Sequence, residues 1–166
     1  WNSDSTRMPA AMHSFYLRKM YLENKLVEPG ALEFAGVPID LGSVAVPSYV
    51  VATREDHIAP WRSAYAPARL FGGPVRFVLS ASGHIAGIIN HPDAGKYCYW
   101  TKARTAKTPE AWLKGAVRHD GSWWPDWDKW VKRHAGCQDV AARTPGAGPL
   151  KALAEAPGTY VKSRSD

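Results

Sequence analysis

The chain has 166 residues, of which 45% are hydrophobic and 22% are charged, and its formal net charge is +6. This composition is typical of a folded domain with a sizeable core, and it excludes a disordered or low-complexity chain. The sequence also contains no apolar run of membrane-spanning length and no nucleic-acid-binding motif, so we expect neither a membrane span nor a nucleic-acid partner.

Charge and cysteine content narrow the choice of partner and cofactor. The lysines and arginines are scattered among acids, which favours an ordinary solvated surface, although the phosphates of CoA or an acidic surface would also suit the charge. Two cysteines, Cys98 and Cys137, are too few for a disulfide framework. His134 and Cys137 have a metal-like spacing, but no second pair of ligands accompanies them. We therefore expect no metal and no other cofactor.

The first predicted element is an amphipathic helix. A helical pattern starts at Pro9, and proline is tolerated in a first turn. Met12, Tyr16 and Met20 form one apolar stripe along it. Pro29, followed by a glycine, is expected to end the helix.

Two runs of apolar and β-branched residues, 46–52 and 75–79, predict buried strands. Residues 62–70 between them have the composition of a helix, and short turns join the three segments. A strand, a helix and a second strand in this order form a βαβ unit, which implies a parallel sheet.

A polar turn follows each of these strands. Asp56 comes after the first strand and His84 after the second, and the carboxyl ends of parallel strands lie at the same edge of a sheet. An acid followed by a histidine matches the last two members of a nucleophile–Asp–His triad in α/β-hydrolase order. Two plainer interpretations stay open: Asp56 as a turn residue or helix cap, and His84 as a polar loop residue. Gly83 allows an unusual backbone geometry or a close approach next to His84.

The chain offers a competing base but no nucleophile for such a triad. His57 directly follows Asp56, and a residue in that position points away from the acid, so a supporting or turn role fits it better. No serine or cysteine lies in a Gly-x-Ser-x-Gly or Gly-x-Cys-x-Gly turn. Cys98 lacks the flanking glycines and follows both the acid and the base, which makes it a poor candidate.

Two helices are predicted beyond the second turn. Thr108 is a candidate N-cap for a short helix through Trp112. A second helix starts within residues 121–130, with acids in its first turn and basic residues in its last, as the helix dipole favours. Its apolar face is expected to pack on the sheet, and an interface or a hydrophobic polymer surface is the alternative. This face comprises Trp123, Trp127, Trp130 and Val131.

Several motifs together resemble one enzyme family, the polyhydroxyalkanoate synthases, and most closely the class I poly(3-hydroxybutyrate) polymerases. They cover about 130 positions in family order. The motifs are Trp-Asn-Ser-Asp-Ser-Thr at 1–6, Tyr-Leu-Arg at 16–18, Tyr-Leu-Glu-Asn at 21–24, Arg-Glu-Asp-His-Ile at 54–58, Ser-Gly-His-Ile-Ala-Gly at 82–87 and Gly-Ser-Trp-Trp-Pro-Asp-Trp at 121–127.

The resemblance implies an acyltransferase that polymerises (R)-3-hydroxyacyl-CoA, with 3-hydroxybutyryl-CoA as the expected substrate, into a polyester with release of CoA. An upstream cysteine would be the nucleophile, His84 its base, and Asp56 either the residue that orients His84 or an activator of the substrate 3-hydroxyl. Asn2, Asp4 and His57 are substrate-channel candidates. An α/β-hydrolase with esterase or depolymerase activity, and a granule-docking module, are the alternatives.

The resemblance also implies a fold class and a setting. We expect an α/β fold that is the C-terminal half of an α/β-hydrolase, with a parallel sheet and flanking helices, incomplete in this chain and inactive alone. Residues 1–35 would form the end of a lid segment and a helix, 36–143 the half core, and 144–166 a linker and basic tail. The full-length enzyme would be a cytoplasmic homodimer associated with the growing polyester chain at a granule surface.

Overall fold

The computed structural model describes residues 7–136 and 139–163, and a four-stranded sheet forms the centre of this part of the chain. Before the sheet, a small antiparallel hairpin pairs β1 (Glu33–Phe34) with β2 (Val37–Pro38). The sheet follows in chain order and in the same spatial order. Its strands are β3 (Ser48–Thr53), β4 (Val75–Ser80), β5 (Cys98–Thr101) and β6 (Val117–Asp120).

The sheet is mixed rather than parallel. β3 and β4 pair in parallel, which confirms the predicted βαβ unit, whereas β5 is antiparallel to β4 and β6 is antiparallel to β5. The expectation of a parallel sheet is therefore wrong for the last two strands. Residues 81–97 form no crossover helix, so the chain enters β5 from the edge at which β4 ended.

The first helix forms as predicted but is shorter and more exposed than its pattern suggested. α1 (Ala10–Phe15) continues directly as a π-helical segment, Tyr16–Leu22. A 3₁₀ turn at Lys25–Val27 follows, so regular helix ends well before Pro29. Met12 and Tyr16 on the predicted apolar stripe are exposed among the described residues.

The helix predicted at 62–70 is divided into α2 (Trp61–Ala64) and α3 (Pro67–Leu70). The break falls before Pro67, which has no backbone N–H to continue the helical hydrogen bonds. α4 (Pro109–Lys114) begins as predicted, because the Oγ1 atom of Thr108 accepts a hydrogen bond of 3.1 Å from the backbone N–H of Ala111.

The last long helix, α5 (Trp124–His134), has Asp126 in its first turn and basic residues in its last turn. Gly136 follows it with a φ of +78°, the left-handed conformation that commonly ends a helix. Short 3₁₀ turns occur at Leu41–Ser43, Pro92–Ala94 and Tyr160–Lys162. Residues 139–163 are almost entirely exposed, and the boundaries at 35 and 143 stay predictions.

The register of β3 and β4 assigns alternate side chains to two different layers. Ala52 pairs with Leu79, and these side chains face α2, α3 and α4. There Phe77 makes edge-to-face contacts with Tyr65 at 4.8 Å and with Trp112 at 4.9 Å between ring centroids. This aromatic cluster is the buried core of the domain.

The opposite face of the sheet holds α5. Tyr49 of β3 lies against the rings of Trp123 at 6.1 Å and Trp130 at 5.4 Å. The predicted packing of the tryptophan face is therefore confirmed for these two residues, and Val131 is half-buried. Trp127 differs, since 45% of it is exposed.

A charged contact fixes the start of α5 to the sheet. The Nε atom of Arg76 and the hydroxyl of Tyr49 donate to Oδ2 of Asp126 at 2.8 and 2.9 Å, and Arg76 makes a second bond to Oδ1. Burial alone would raise the pKa of Asp126, but the hydrogen bonds from Arg76 and Tyr49 outweigh it and lower the pKa below its ordinary value. Burial and the nearby Asp126 carboxylate raise the pKa of Tyr49, so its hydroxyl keeps its proton and can donate the hydrogen bond.

We predict that Asp126→Asn lowers the free energy of unfolding by about 1–3 kcal/mol at pH 7, because Arg76 loses a charged, doubly bonded partner. A depressed carboxyl pKa stabilises the fold above the unfolded-state value and ceases to do so as the pH falls through the folded-state value. The difference should therefore shrink on going from pH 7 to pH 3 in urea unfolding. Asp128→Asn, which breaks only an exposed pair with Lys132, is the control and should change little.

Candidate active site

The site lies where β3 and β4 end side by side. Thr53 pairs with Ser80 in the parallel register, and the pairing continues beyond the strands. The N–H of Arg54 donates to the carbonyl of Ser80 at 2.8 Å, and the N–H of Glu55 donates to the carbonyl of Ser82 at 3.1 Å. Both polar turns consequently leave the same edge of the sheet at the same level.

Asp56 and His84 meet at this edge. The Nδ1 atom of His84 lies 2.8 Å from Oδ2 of Asp56. The Asp56 side chain is only 8% exposed, whereas that of His84 is 48% exposed, so the pair has a sheltered acid and an accessible ring. The structure thus brings together the two residues that the sequence predicted, while their catalytic role stays a prediction.

The two carboxylate oxygens of Asp56 have different partners. Oδ1 accepts hydrogen bonds from the backbone N–H groups of Ile58 at 2.9 Å and Ala59 at 2.8 Å. Oδ2 contacts His84 and lies 3.5 Å from the hydroxyl of Thr53. Asp56 is therefore a turn-capping residue and a histidine partner at once, so the two interpretations of the sequence are compatible.

These contacts keep Asp56 ionised. The N–H of Ala59 has the largest effect and lowers the pKa of Asp56, burial opposes it, and the His84 ring and the N–H of Ile58 lower it further, to about 2. A carboxyl group with this pKa is a permanent anion at neutral pH. It can orient and stabilise a histidine that gains a proton.

The His84 ring has one nitrogen engaged and one left for chemistry. A neutral ring that donates from Nδ1 to the Asp56 carboxylate carries its lone pair on Nε2, the tautomer that a general base requires. Among the described residues His84 forms no hydrogen bond to a serine or cysteine. Cys98 is buried in β5, where its sulfur interacts with Arg118 instead.

The backbone before His84 is unusual, but not at the residue that the sequence suggested. Ser82 has a φ of +74°, in the left-handed region that a side chain rarely adopts. Gly83 lies outside that region, and a Cβ there would meet only the Glu55 carbonyl oxygen at 4.0 Å, an ordinary contact. The strain next to the histidine is thus carried by a serine, a feature often found at functional sites.

Gly87 is a residue that the sequence analysis missed. A Cβ at this position would lie 2.4 Å from Cγ2 of Thr53 and 2.5 Å from the carbonyl oxygen of Ala81. Its N–H donates to the carbonyl of Gly83 at 3.0 Å and closes the turn that contains His84. A side chain here would clash with both atoms, so glycine is needed. The sequence shows Gly87 only as the last residue of the 82–87 motif, because the contact with Thr53 of β3 cannot be read from neighbouring residues.

Of the other predicted site residues, His57 alone lies in the described part of the chain. His57 is exposed in the turn after Asp56. Asn2 and Asp4 lie outside the described residues. Within 7–136 and 139–163 no three metal-binding side chains cluster, and no helix is long and apolar enough to cross a membrane.

We predict that Gly87→Ala lowers the free energy of unfolding by about 1–3 kcal/mol, because the new methyl group must displace Thr53 or the Ala81 carbonyl. Thermal unfolding measures the effect. Gly148→Ala is the matched control: a Cβ there meets nothing within 4 Å, and we expect a change within about 0.5 kcal/mol. Equal stability of both variants would show that the turn adapts freely.

Comparison with known proteins gives a consistent match. No family model matches the chain. It is 47% identical over 165 residues to the poly(3-hydroxyalkanoate) polymerase subunit PhaC of Cupriavidus necator, 52% to that of Rhizobium meliloti, and 48% over 166 residues to the polymerase of Methylorubrum extorquens. Each match covers 99% of this chain but only 26–28% of the relative. The chain thus spans about a quarter of the length of these curated relatives, and over nearly all its residues it matches a segment of the poly(3-hydroxyalkanoate) polymerases.

Proposed function

We propose that this chain is the C-terminal catalytic segment of a polyester synthase, and that the full-length protein polymerises (R)-3-hydroxyacyl-CoA, chiefly 3-hydroxybutyryl-CoA, with release of CoA. The observation that carries the proposal is the hydrogen bond between Asp56 and His84 at the carboxyl edge of two parallel strands. Support comes from the polymerases that the chain resembles over 99% of its length.

The chemistry requires a nucleophile from elsewhere in the protein. A cysteine in a preceding segment would give its proton to Nε2 of His84, and the thiolate would attack the carbonyl carbon of the acyl-CoA thioester. The thioester C–S bond then breaks, and CoA leaves with the proton from His84. The acyl group is now bound to the cysteine, ready for attack by the 3-hydroxyl of another unit.

For Asp56 the contacts favour orientation of His84 over activation of the substrate hydroxyl. Its side chain is 8% exposed, and both oxygens already accept hydrogen bonds within the protein. A general base works best with a pKa near the operating pH, and the pKa of Asp56, at about 2, is far below that. Asp56 would therefore hold the ring and stabilise its protonated form.

The surroundings of the pair support an α/β-hydrolase core completed by other segments. Among the described residues β3 forms ladder hydrogen bonds with β4 alone, and an open strand edge usually pairs with another strand or is covered. The exposed apolar side chains of α1 suit a lid that packs against parts of the enzyme beyond this chain. A cytoplasmic, granule-associated homodimer belongs to the same proposal.

The first test measures CoA release from (R)-3-hydroxybutyryl-CoA by the full-length protein. We predict that His84→Ala lowers the rate by about 10²–10⁴-fold, the usual cost of removing a general base. His57→Ala is the comparison variant and should lose much less activity than His84→Ala, because His57 is exposed and its neighbour Asp56 faces His84. A collapse in His57→Ala with normal His84→Ala would identify the other histidine as the base.

The product distinguishes the alternatives. Insoluble polyester supports the synthase, whereas free 3-hydroxybutyrate with no polymer would indicate a hydrolase. Tight binding to polyester without release of CoA by the unaltered protein would indicate a docking module. Each of the last two results would overturn the proposed reaction.

A second test separates the two roles of Asp56. We predict that Asp56→Asn slows both the initial burst of CoA and the later elongation by at least about 10²-fold, because an amide at this position favours the wrong tautomer of His84. Asp56 stays ionised from pH 5 to pH 8, so the rate of the unaltered protein should show no titration of this carboxyl group in that range. A normal burst followed by failed elongation would instead make Asp56 the activator of the hydroxyl.

A further inference from the structure

Two indole N–H groups hold the turn that carries His84. The Nε1 atom of Trp123 donates to the carbonyl of Gly87 at 3.1 Å, and that of Trp124 donates to the carbonyl of Ile88 at 2.9 Å. Both tryptophans are far along the chain, at the start of α5. Two adjacent side chains thus bond two adjacent carbonyls of one loop, which fixes its position and its orientation.

The Gly87 carbonyl has a second donor from the sheet. The hydroxyl of Ser80, at the end of β4, donates to it at 2.7 Å. The N–H of Gly87 also donates to the carbonyl of Gly83 and closes the turn that contains His84. Gly87 therefore connects this turn to both β4 and α5. Gly87 also packs tightly against Thr53, so its backbone has little room to move.

The helix that presents the indoles is itself fixed. Trp123 is 9% exposed and stacks on Tyr49, and Asp126 one turn later bonds Arg76 and Tyr49. The N–H donors therefore have a rigid base in the sheet. The His84 side chain, by contrast, is half exposed. Among the described residues its ring is hydrogen-bonded to Asp56.

We infer that Trp123, assisted by Trp124, is a positioning residue for His84: its N–H fixes the Gly87 carbonyl and, through the turn, the placement of the imidazole. The inference rests on the proposed function, in which His84 is the base. A displacement of about 1 Å at a catalytic group can cost about 10²-fold in rate, so the buried hydrogen bonds that hold this turn contribute to catalysis by keeping the imidazole in place.

The test uses Trp123→Phe in the full-length protein, which keeps an aromatic ring and removes the donor. We expect kcat for CoA release from (R)-3-hydroxybutyryl-CoA to fall on the order of tenfold with KM nearly unchanged, because orientation of the base acts on the chemical step. Trp127→Phe is the matched control. Trp127 lies on the same face of α5, is 45% exposed, and has no hydrogen bond among the described residues.

A double-mutant cycle tests the shared carbonyl. Ser80→Ala and Trp123→Phe each leave the Gly87 carbonyl one donor, whereas the double variant leaves it none in a buried place. We expect the loss of kcat in the double variant to exceed the product of the single losses. A kcat loss in the double variant equal to the product of the single losses would mean that the two donors act independently. That result would contradict the inference that they hold the Gly87 carbonyl together.

The outcomes separate the inference from the proposed function. An unaltered protein that releases no CoA overturns both. An active unaltered protein whose Trp123→Phe variant keeps its kcat, or loses activity only through a raised KM, overturns the inference alone. Should Trp123→Phe not fold, Trp124→Phe removes the second donor from a half-buried position, and its kcat decides by the same criterion.

Discussion

The parallel pairing of β3 with β4 is the constraint on which the rest of this structure depends. It sets Thr53 opposite Ser80, so the two polar turns begin at one level and Asp56 and His84 meet. It also decides which side chains share a face. A slip of one residue would turn Phe77 away from the aromatic core and bury Arg76 there, so burial and charge both oppose any other register.

The two faces of the sheet contribute in different ways. The face toward α2–α4 is an aromatic core whose side chains exclude water, and it supplies most of the apolar burial. The face toward α5 is more polar, with Asp126 bonded to Arg76 and Tyr49 at its centre. This polar contact fixes α5, and α5 supplies the indole donors to the turn after His84. Stability on this face and geometry at the site are therefore coupled.

Local patterns in the sequence were enough to predict the elements that place the site. Apolar runs indicated β3 and β4, and Thr108 indicated the start of α4. Asp56 and His84 were predicted as neighbours because the carboxyl ends of parallel strands share an edge. These features depend on a few adjacent residues, and the structure agrees with them.

Features that depend on distant contacts were not predictable in this way. The antiparallel direction of β5 depends on a long loop without a crossover helix. The need for glycine at position 87, in a turn, depends in part on a contact with Thr53 of β3. The bonds from Trp123 and Trp124 join residues 36 positions apart. The apolar spacing of α5 predicted where its tryptophans pack, but periodicity says nothing about the direction of an indole N–H.

Asp56 caps the turn after β3 with one carboxylate oxygen and contacts His84 with the other, so one side chain links the turn to the proposed chemistry. The same backbone N–H groups that form the turn after β3 also lower the pKa of the carboxyl, because they donate to its charged form. A less engaged carboxylate would be a stronger base but a poorer anchor, free to rotate away from the histidine. Because Oδ1 is held by the backbone, Oδ2 stays directed at Nδ1 of His84. The same contacts make Asp56 a weaker base and fix the orientation of His84.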